Sequence, residues 1–280
     1  MVDTERNEPG EAPSAKRLVV ALLLALDGQP LPTRIAVPAC ALFGIGESSV
    51  RVALVRLSAA GRIESTGRGE YRFSEAETER ALELSRWRSA LSRVRPWKGA
   101  YVGVHVGSLG RGDRTALRRR ARAVELLGMV ELRRDLYVRP DNLEGGVTGI
   151  RERLQNLGLE YEAPVFRLSE LDQTTEAGLR STWDGKALGV SYKRTRTRIE
   201  KWLKKAPSLE PEVAAREAFL LGSAAIRQVL FDPWLPAPLV DEELRRTFFD
   251  AVVELDRRGR DVWLALFALL EGGEPRVLPH

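Results

Sequence analysis

Gly46-Glu-Ser-Ser-Val-Arg-Val-Ala-Leu-Val-Arg-Leu-Ser-Ala-Ala-Gly61 has the start, the stop and the spacing of one amphipathic helix. Ser48 is placed to cap the first turn by accepting a hydrogen bond from a backbone N–H that the helix leaves unpaired. Gly61 suits the left-handed position just past the last turn. Val50, Ala53, Leu54 and Leu57 fall at i, i+3, i+4 and i+7 and form one apolar face. Ser49, Arg51, Val52, Val55 and Arg56 fall on the other side. Upstream, residues 33–42 repeat a shorter helical pattern that ends at Gly44, and the apolar run 18–26 belongs to a first helix. A helix, a glycine turn and a second helix with its arginines outward is the helix-turn-helix order.

The next residues extend the pattern. Residues 62–66 read as a strand, Gly67-Arg68-Gly69 as a tight turn and residues 70–73 as the returning strand. Helices followed by a basic hairpin make a winged helix, whose second helix would enter a major groove while the hairpin follows the phosphates. Arg51 and Arg56 would then reach guanine edges or phosphates. Ser49 would make a polar contact near the helix start, and Val52 and Val55 would pack on thymine methyls. Arg68 at the hairpin tip, with Lys16 and Arg17 at the first helix, would meet phosphate.

The chain has 280 residues, 44% hydrophobic and 30% charged, which is ordinary for a globular protein with room for two or three domains. The net charge of +5 is a mild excess, so a nucleic-acid partner is implied only where arginines cluster. They cluster at Arg51/Arg56, at Arg62/Arg68/Arg72, and within 118–122 and 193–198. The single cysteine, Cys40, cannot form an intramolecular disulfide and fits a reducing, cytoplasmic setting. The 18–26 run is too short for a membrane span, and no cleavage pattern follows it, so no membrane association is expected.

In chain order, residues 1–14 are a polar leader expected to be disordered, 15–74 the winged helix-turn-helix domain, and 75–95 a linker helix with a Leu84, Trp87, Leu91 stripe. Residues 96–170 read strand, helix, strand, strand, helix, strand, which is the ferredoxin-like order. The first of these helices, 114–127, places Leu117, Ala121 and Val124 on one face; the second repeats this with Ile150, Leu154 and Leu157. Residues 171–273 are helical, with a long helix ending at Asp232-Pro233. Two shorter helices follow, one marked by Leu244, Phe248, Ala251 and Leu255, the other by Val262, Leu266 and Leu269. The expected class is therefore α+β and multidomain.

This order, with residues 49–57 leading to Gly61-Arg-Ile63, with Trp183-Asp184, Leu188, Tyr192 and Arg227, and with Asp232-Pro-Trp-Leu-Pro236, resembles the PaaX-like family of bacterial transcriptional repressors. The likeness spans about Ala15 to Arg258. It implies a homodimer that binds a palindromic double-stranded DNA operator and releases it when an acyl-CoA-type effector binds. It also implies that the central ferredoxin-like domain is Cas2-like and mediates dimerisation, and that the C-terminal domain holds the effector. Trp183, Tyr192 and Trp202, with Phe219 and Trp234, would line the effector pocket. Arg194, Arg196 and Arg198 would neutralise its phosphates, with Arg227 nearby, although core packing and a solvated basic face account for the same residues. The chain departs from the family at Gly222-Ser-Ala-Ala-Ile226, where a histidine is usual, and at Asp241-Glu-Glu243, where Trp-x-Gly is usual. An acyl-CoA class is implied, and phenylacetyl-CoA itself is not.

Catalysis is not expected. Active Cas2 nucleases carry an aspartate at the end of the first strand, and here residues 98–106 contain no carboxylate. The two histidines are His105 and His280, and no P-loop, dinucleotide fingerprint or zinc spacing occurs, so no cofactor or metal is expected. A winged-helix scaffold that binds protein is the competing reading of another class, and a metal-dependent nuclease of Cas2 descent is a third.

Overall fold

The computed structural model describes residues 13–26, 28–78, 86–110 and 112–272. It is a mixed α/β protein with two small antiparallel sheets. As far as described, it divides into two compact units, one from Met1–Arg86, Ile199–Ala225 and Val252–His280, the other from Trp87–Arg198 and Ile226–Ala251. The expected leader and the middle of the expected 75–95 helix, including Leu84, lie outside the described residues. Beyond them, Arg86–Ser89 and Leu91–Arg93 are short 3-10 turns and not a continued α-helix.

The first unit begins with α1 (Ala15–Ala25), β1 (Leu31–Pro32), α2 (Thr33–Ala41), α3 (Glu47–Ala59), β2 (Ile63–Gly67) and β3 (Glu70–Phe73). Ser14 caps α1 by accepting the Arg17 N–H at 3.3 Å. The expected cap of α3 is corrected. Gly46 holds the N-cap position without a side-chain bond, and Ser48 lies inside the helix. The stop is as expected: Gly61 takes φ +66, and the Arg62 N–H reaches back to the Leu57 carbonyl at 3.0 Å, closing the last turn. Val50, Ala53, Leu54 and Leu57 are the buried face of α3.

The sheet order is β1-β3-β2, with Glu64 opposite Arg72. Thr33 ties the hairpin turn to the start of α2, since its N–H and hydroxyl both donate to the Gly69 carbonyl, at 2.7 and 2.9 Å. Leu18, Leu22, Leu54 and Ile63 meet Ala215, Trp263, Leu266 and Phe267 of the C-terminal helices in one core. Phe43 stacks on Trp263 and meets Phe219 edge-on at 5.1 Å. Cys40 is inside this core, where burial pushes its thiol up to about 12 and keeps it unreactive.

The second unit holds β4 (Tyr101–His105), α4 (Arg114–Leu126), β5 (Val130–Arg133), β6 (Leu136–Pro140), α5 (Gly146–Asn156), β7 (Val165–Leu168) and α6 (Gln173–Ser181). Its four strands lie in the order β5-β6-β4-β7, every neighbour antiparallel. Val102, Val104, Val124, Ile150, Leu154 and Val165 form the core.

The expected face of α4 is wrong by part of a turn. Leu117 and Ala121 are exposed, whereas Ala116, Arg120, Ala123 and Val124 face inward. Leu157, expected in the stripe of α5, is exposed as well. Arg120 can be buried because Glu160 accepts from its Nε and Nη2 at 2.7–2.9 Å. That guanidinium holds the Glu160 carboxyl below its ordinary value of 4.5. A carboxyl whose folded value is depressed stabilises the fold fully above its unfolded value, and that contribution is lost as pH falls through the folded value. Glu160→Gln should therefore cost about 1–2 kcal/mol at pH 7. In urea titrations the gap from the native chain should narrow steadily below pH 4.5; a constant gap would show that the pair is not ionic.

Three long helices complete the described residues: α7 (Gly185–Lys205), α8 (Pro211–Leu230) and α9 (Glu242–Leu270). The segment expected as a separate helical domain thus contributes residues to both units. α9 also replaces the two expected helices. It continues through Gly259, bridged there by Arg257–Glu254, Arg257–Asp261 and Arg260–Asp256 pairs one turn apart.

Candidate nucleic-acid interface

The outward side of α3 is an unusual surface for an isolated helix. Ser49, Arg51, Val52, Val55 and Arg56 are all exposed. Val52 is 48% and Val55 65% exposed, so two β-branched side chains face water between two arginines. Apolar area left in water is unfavourable by roughly 25 cal/mol per Å², so this strip would gain by contact with a partner. Arg51 is held along one edge by Glu47, whose Oε1 accepts from its Nε at 2.8 Å and lies 2.7 Å from its Nη2. Arg56 has no ion pair or side-chain hydrogen bond among the described residues.

The hairpin sorts its arginines. Arg62 pairs with the buried Glu77, and Arg72 pairs with Glu64 at 2.7 Å, so both are neutralised within the unit. Arg68, at the tip, has no partner among the described residues. Arg34, near the same turn, bonds Glu271 at 3.2 Å. Lys16 and Arg17 are exposed on the first turn of α1, which packs against α3. Of the expected basic cluster, Arg56 and Arg68 therefore have no acidic partner among the described residues, and Arg51 keeps the edge of its guanidinium away from Glu47.

The residues expected to bind an effector make separate contacts within each unit. Trp183 lines an open cleft of about 330 Å³ in the second unit with Ala121, Val124, Gly128, Met129, Tyr137 and Pro233. Its indole N–H donates to the Gly128 carbonyl at 3.2 Å. Tyr192 is buried and donates to Asp232 Oδ2 at 2.6 Å. Arg194 and Arg198 are exposed, and Arg196 donates to the Thr247 hydroxyl at 3.0 Å. Trp202 is buried in the first unit's share of α7. Arg227 does not pair with Asp232; its guanidinium lies over the Phe231 ring at 4.9 Å.

What the structure builds around Asp232-Pro-Trp-Leu-Pro236 is a buried polar network. Asp232 accepts from Tyr192 and from the Trp234 N–H, at 2.7 Å. Burial pushes its carboxyl up, and those two donors together with Arg245 and Arg139 oppose the shift. Arg139 on β6 donates to the carbonyls of Leu127, Pro140 and Pro233 and to Asn142 Oδ1, at 2.5 to 3.3 Å. Asn142 in turn donates to the Trp234 carbonyl, and Arg245 to that of Leu235. Sequence reasoning missed Glu47, Gly128, Arg139, Asn142 and Arg245. Only Glu47 left a local signal, an acid four residues before an arginine on one helix.

The family model described as PaaX-like protein matches residues 14–77, and that described as PaaX-like protein C-terminal domain matches residues 183–265. Among solved structures, an uncharacterized protein of Mycobacterium tuberculosis, Rv0674, is similar with a TM-score of 0.60 at 23% identity, over 89% of this chain and 98% of that one. That likeness concerns the fold alone. No curated protein matches the chain.

Proposed function

The chain belongs to the PaaX-like family, and from that premise we propose that it is a sequence-specific DNA-binding transcriptional regulator. The observation that carries the reading is the outward strip of α3, with Val52 and Val55 bare and Arg51 and Arg56 on either side. Residues 15–74 act as a winged helix-turn-helix. α3 enters the major groove, the arginines meet guanine or phosphate, and the valines meet thymine methyls. Arg68 at the hairpin tip contacts phosphate, as do Lys16 and Arg17. The topology β4-α4-β5-β6-α5-β7 in the order β5-β6-β4-β7 supports a ferredoxin-like, Cas2-like middle domain that pairs two copies across a palindromic site.

The role is repression of a catabolic operon in the cytoplasm, relieved by an acyl-CoA-type effector. Trp183 and the cleft at Gly128 and Pro233 supply an apolar seat for the acyl group. The regulator is not an enzyme in this reading. Among the described residues no cluster of side chains could hold a metal ion, and no helix is long and apolar enough to cross a membrane.

Gel-shift titration on the duplex upstream of its own operon, at two salt concentrations and with a panel of acyl-CoA thioesters, tests the reading. Specific binding should weaken with salt, and one thioester should release it. Arg68→Ala should weaken every duplex alike and lower the salt slope by about one unit. Equal affinity for specific and random duplex would remove sequence reading, and absence of binding at either salt would leave a protein-binding scaffold.

A further inference from the structure

Resting on the DNA-binding reading above, we propose that Glu47 sets the sequence preference of α3 by fixing how Arg51 presents its guanidinium. Glu47 opens the helix and Arg51 follows one turn later, their side chains 57% and 62% exposed. Nε of Arg51 donates to the carboxylate oxygen Oε1 at 2.8 Å, and Nη2 lies 2.7 Å from the same oxygen. A guanidinium carries five N–H groups in a rigid planar fork. The acid thus sits against one side edge, bonded through Nε. The end of the fork, Nη1 with the outer hydrogen of Nη2, is left turned away from the acid. Guanine offers two acceptors, O6 and N7, in the major groove, and a fork end matches that pair. The second oxygen of Glu47 has no partner among the described residues. It is an acceptor for a base amino group, which cytosine and adenine present in the same groove.

As an ion pair the acid adds little to fold stability, and its place in the first turn adds a modest favourable contribution from the helix dipole. The carboxylate also works against simple phosphate binding. It places a negative charge at a helix start, where backbone N–H groups and the helix dipole attract anions. A surface that held phosphate alone would be weaker for it. A surface that reads bases is sharper for it, because affinity falls on every duplex and returns where Arg51 meets guanine and the acid meets an amino group. Glu47 is thus a positioning residue, and the partner is a duplex with a guanine beside a cytosine or adenine whose amino group faces the acid.

The test uses the full chain, unmodified and as Arg51→Ala, Glu47→Ala and Glu47→Gln, to select duplexes from a random-sequence library. Dissociation constants follow for the selected duplex and for the same duplex with the guanine pair replaced. The unmodified chain should prefer guanine by about tenfold or more, and Arg51→Ala should erase the preference. Glu47→Ala should cut it several-fold while binding to random duplex tightens. Glu47→Gln, which keeps an acceptor for Arg51 but drops the charge, should retain most of the preference and also tighten random binding. If Glu47→Ala strengthens every duplex by one common factor, the acid only repels phosphate and the inference is overturned. A library from which the unmodified chain enriches nothing overturns the DNA-binding reading itself, and this inference with it.

Discussion

Replacing Arg139 with leucine is expected to lower the unfolding free energy by about 3 kcal/mol, seen as a lower urea midpoint at unchanged slope. Arg139 is 1% exposed and has no carboxylate bonded to it. Its fork instead closes four acceptors, including the carbonyls of Leu127 and Pro233 and the side chain of Asn142. Leucine fills part of the volume and leaves those oxygens buried without donors, each at a cost of about 1–3 kcal/mol that relaxation and the removal of a buried charge partly offset. Arg139→Lys keeps a charge but cannot reach both sides, so it should recover only part of the loss.

Burial pushes the guanidinium down to about 9, which leaves it charged at neutral pH. Because the folded value lies below the unfolded one, holding the charge costs stability at neutral pH, and that cost is relieved as pH rises through about 9. A leucine variant as stable as the native chain at pH 7 would show that the network around residues 232–236 contributes nothing.

Gly185→Ala is expected to cost about 3 kcal/mol as well, for a steric reason. Gly185 opens α7, where Asp184 accepts the Ala187 N–H at 2.8 Å. A Cβ on Gly185 would lie 1.8 Å from the Leu239 carbonyl oxygen, 2.9 Å from its carbon and 3.3 Å from Val240 Cα. All three are backbone atoms, so no side chain can swing aside and the chain at 239–240 must move. Gly103 is the comparison. A Cβ there would meet Leu168 Cδ1 at 2.3 Å, the tip of a side chain that can change rotamer. Thermal melts should place Gly185→Ala below Gly103→Ala, and the reverse order would show that the 239–240 segment yields more easily than Leu168.

These two positions mark where sequence reading stopped. α3 was legible because its pattern is local: a period of 3.6 separates Val50, Ala53, Leu54 and Leu57 from Ser49, Arg51, Val52, Val55 and Arg56, and the structure buries the first set and exposes the second. The same method misplaced the face of α4. Leu117 and Ala121 were expected inward, whereas Arg120 is buried, and Glu160, forty residues away, supplies the acceptor that makes this burial possible. The stripes 244–255 and 262–269, read as two helices, are one helix, α9, in which ion pairs span Gly259.

The candidate site divides along the same line. The chain's own pattern was enough to say which side chains of α3 face a partner, because that depends on the turn of one helix. Which arginines remain free to do so depended on the folded unit. Glu64 and Glu77 take up Arg72 and Arg62, Glu47 holds one edge of Arg51, and Arg56 and Arg68 keep no acidic partner among the described residues. Arg139 is the extreme case. Its place in the core follows from carbonyls at 127, 140 and 233, and a charged side chain can be buried only where such distant groups converge on it.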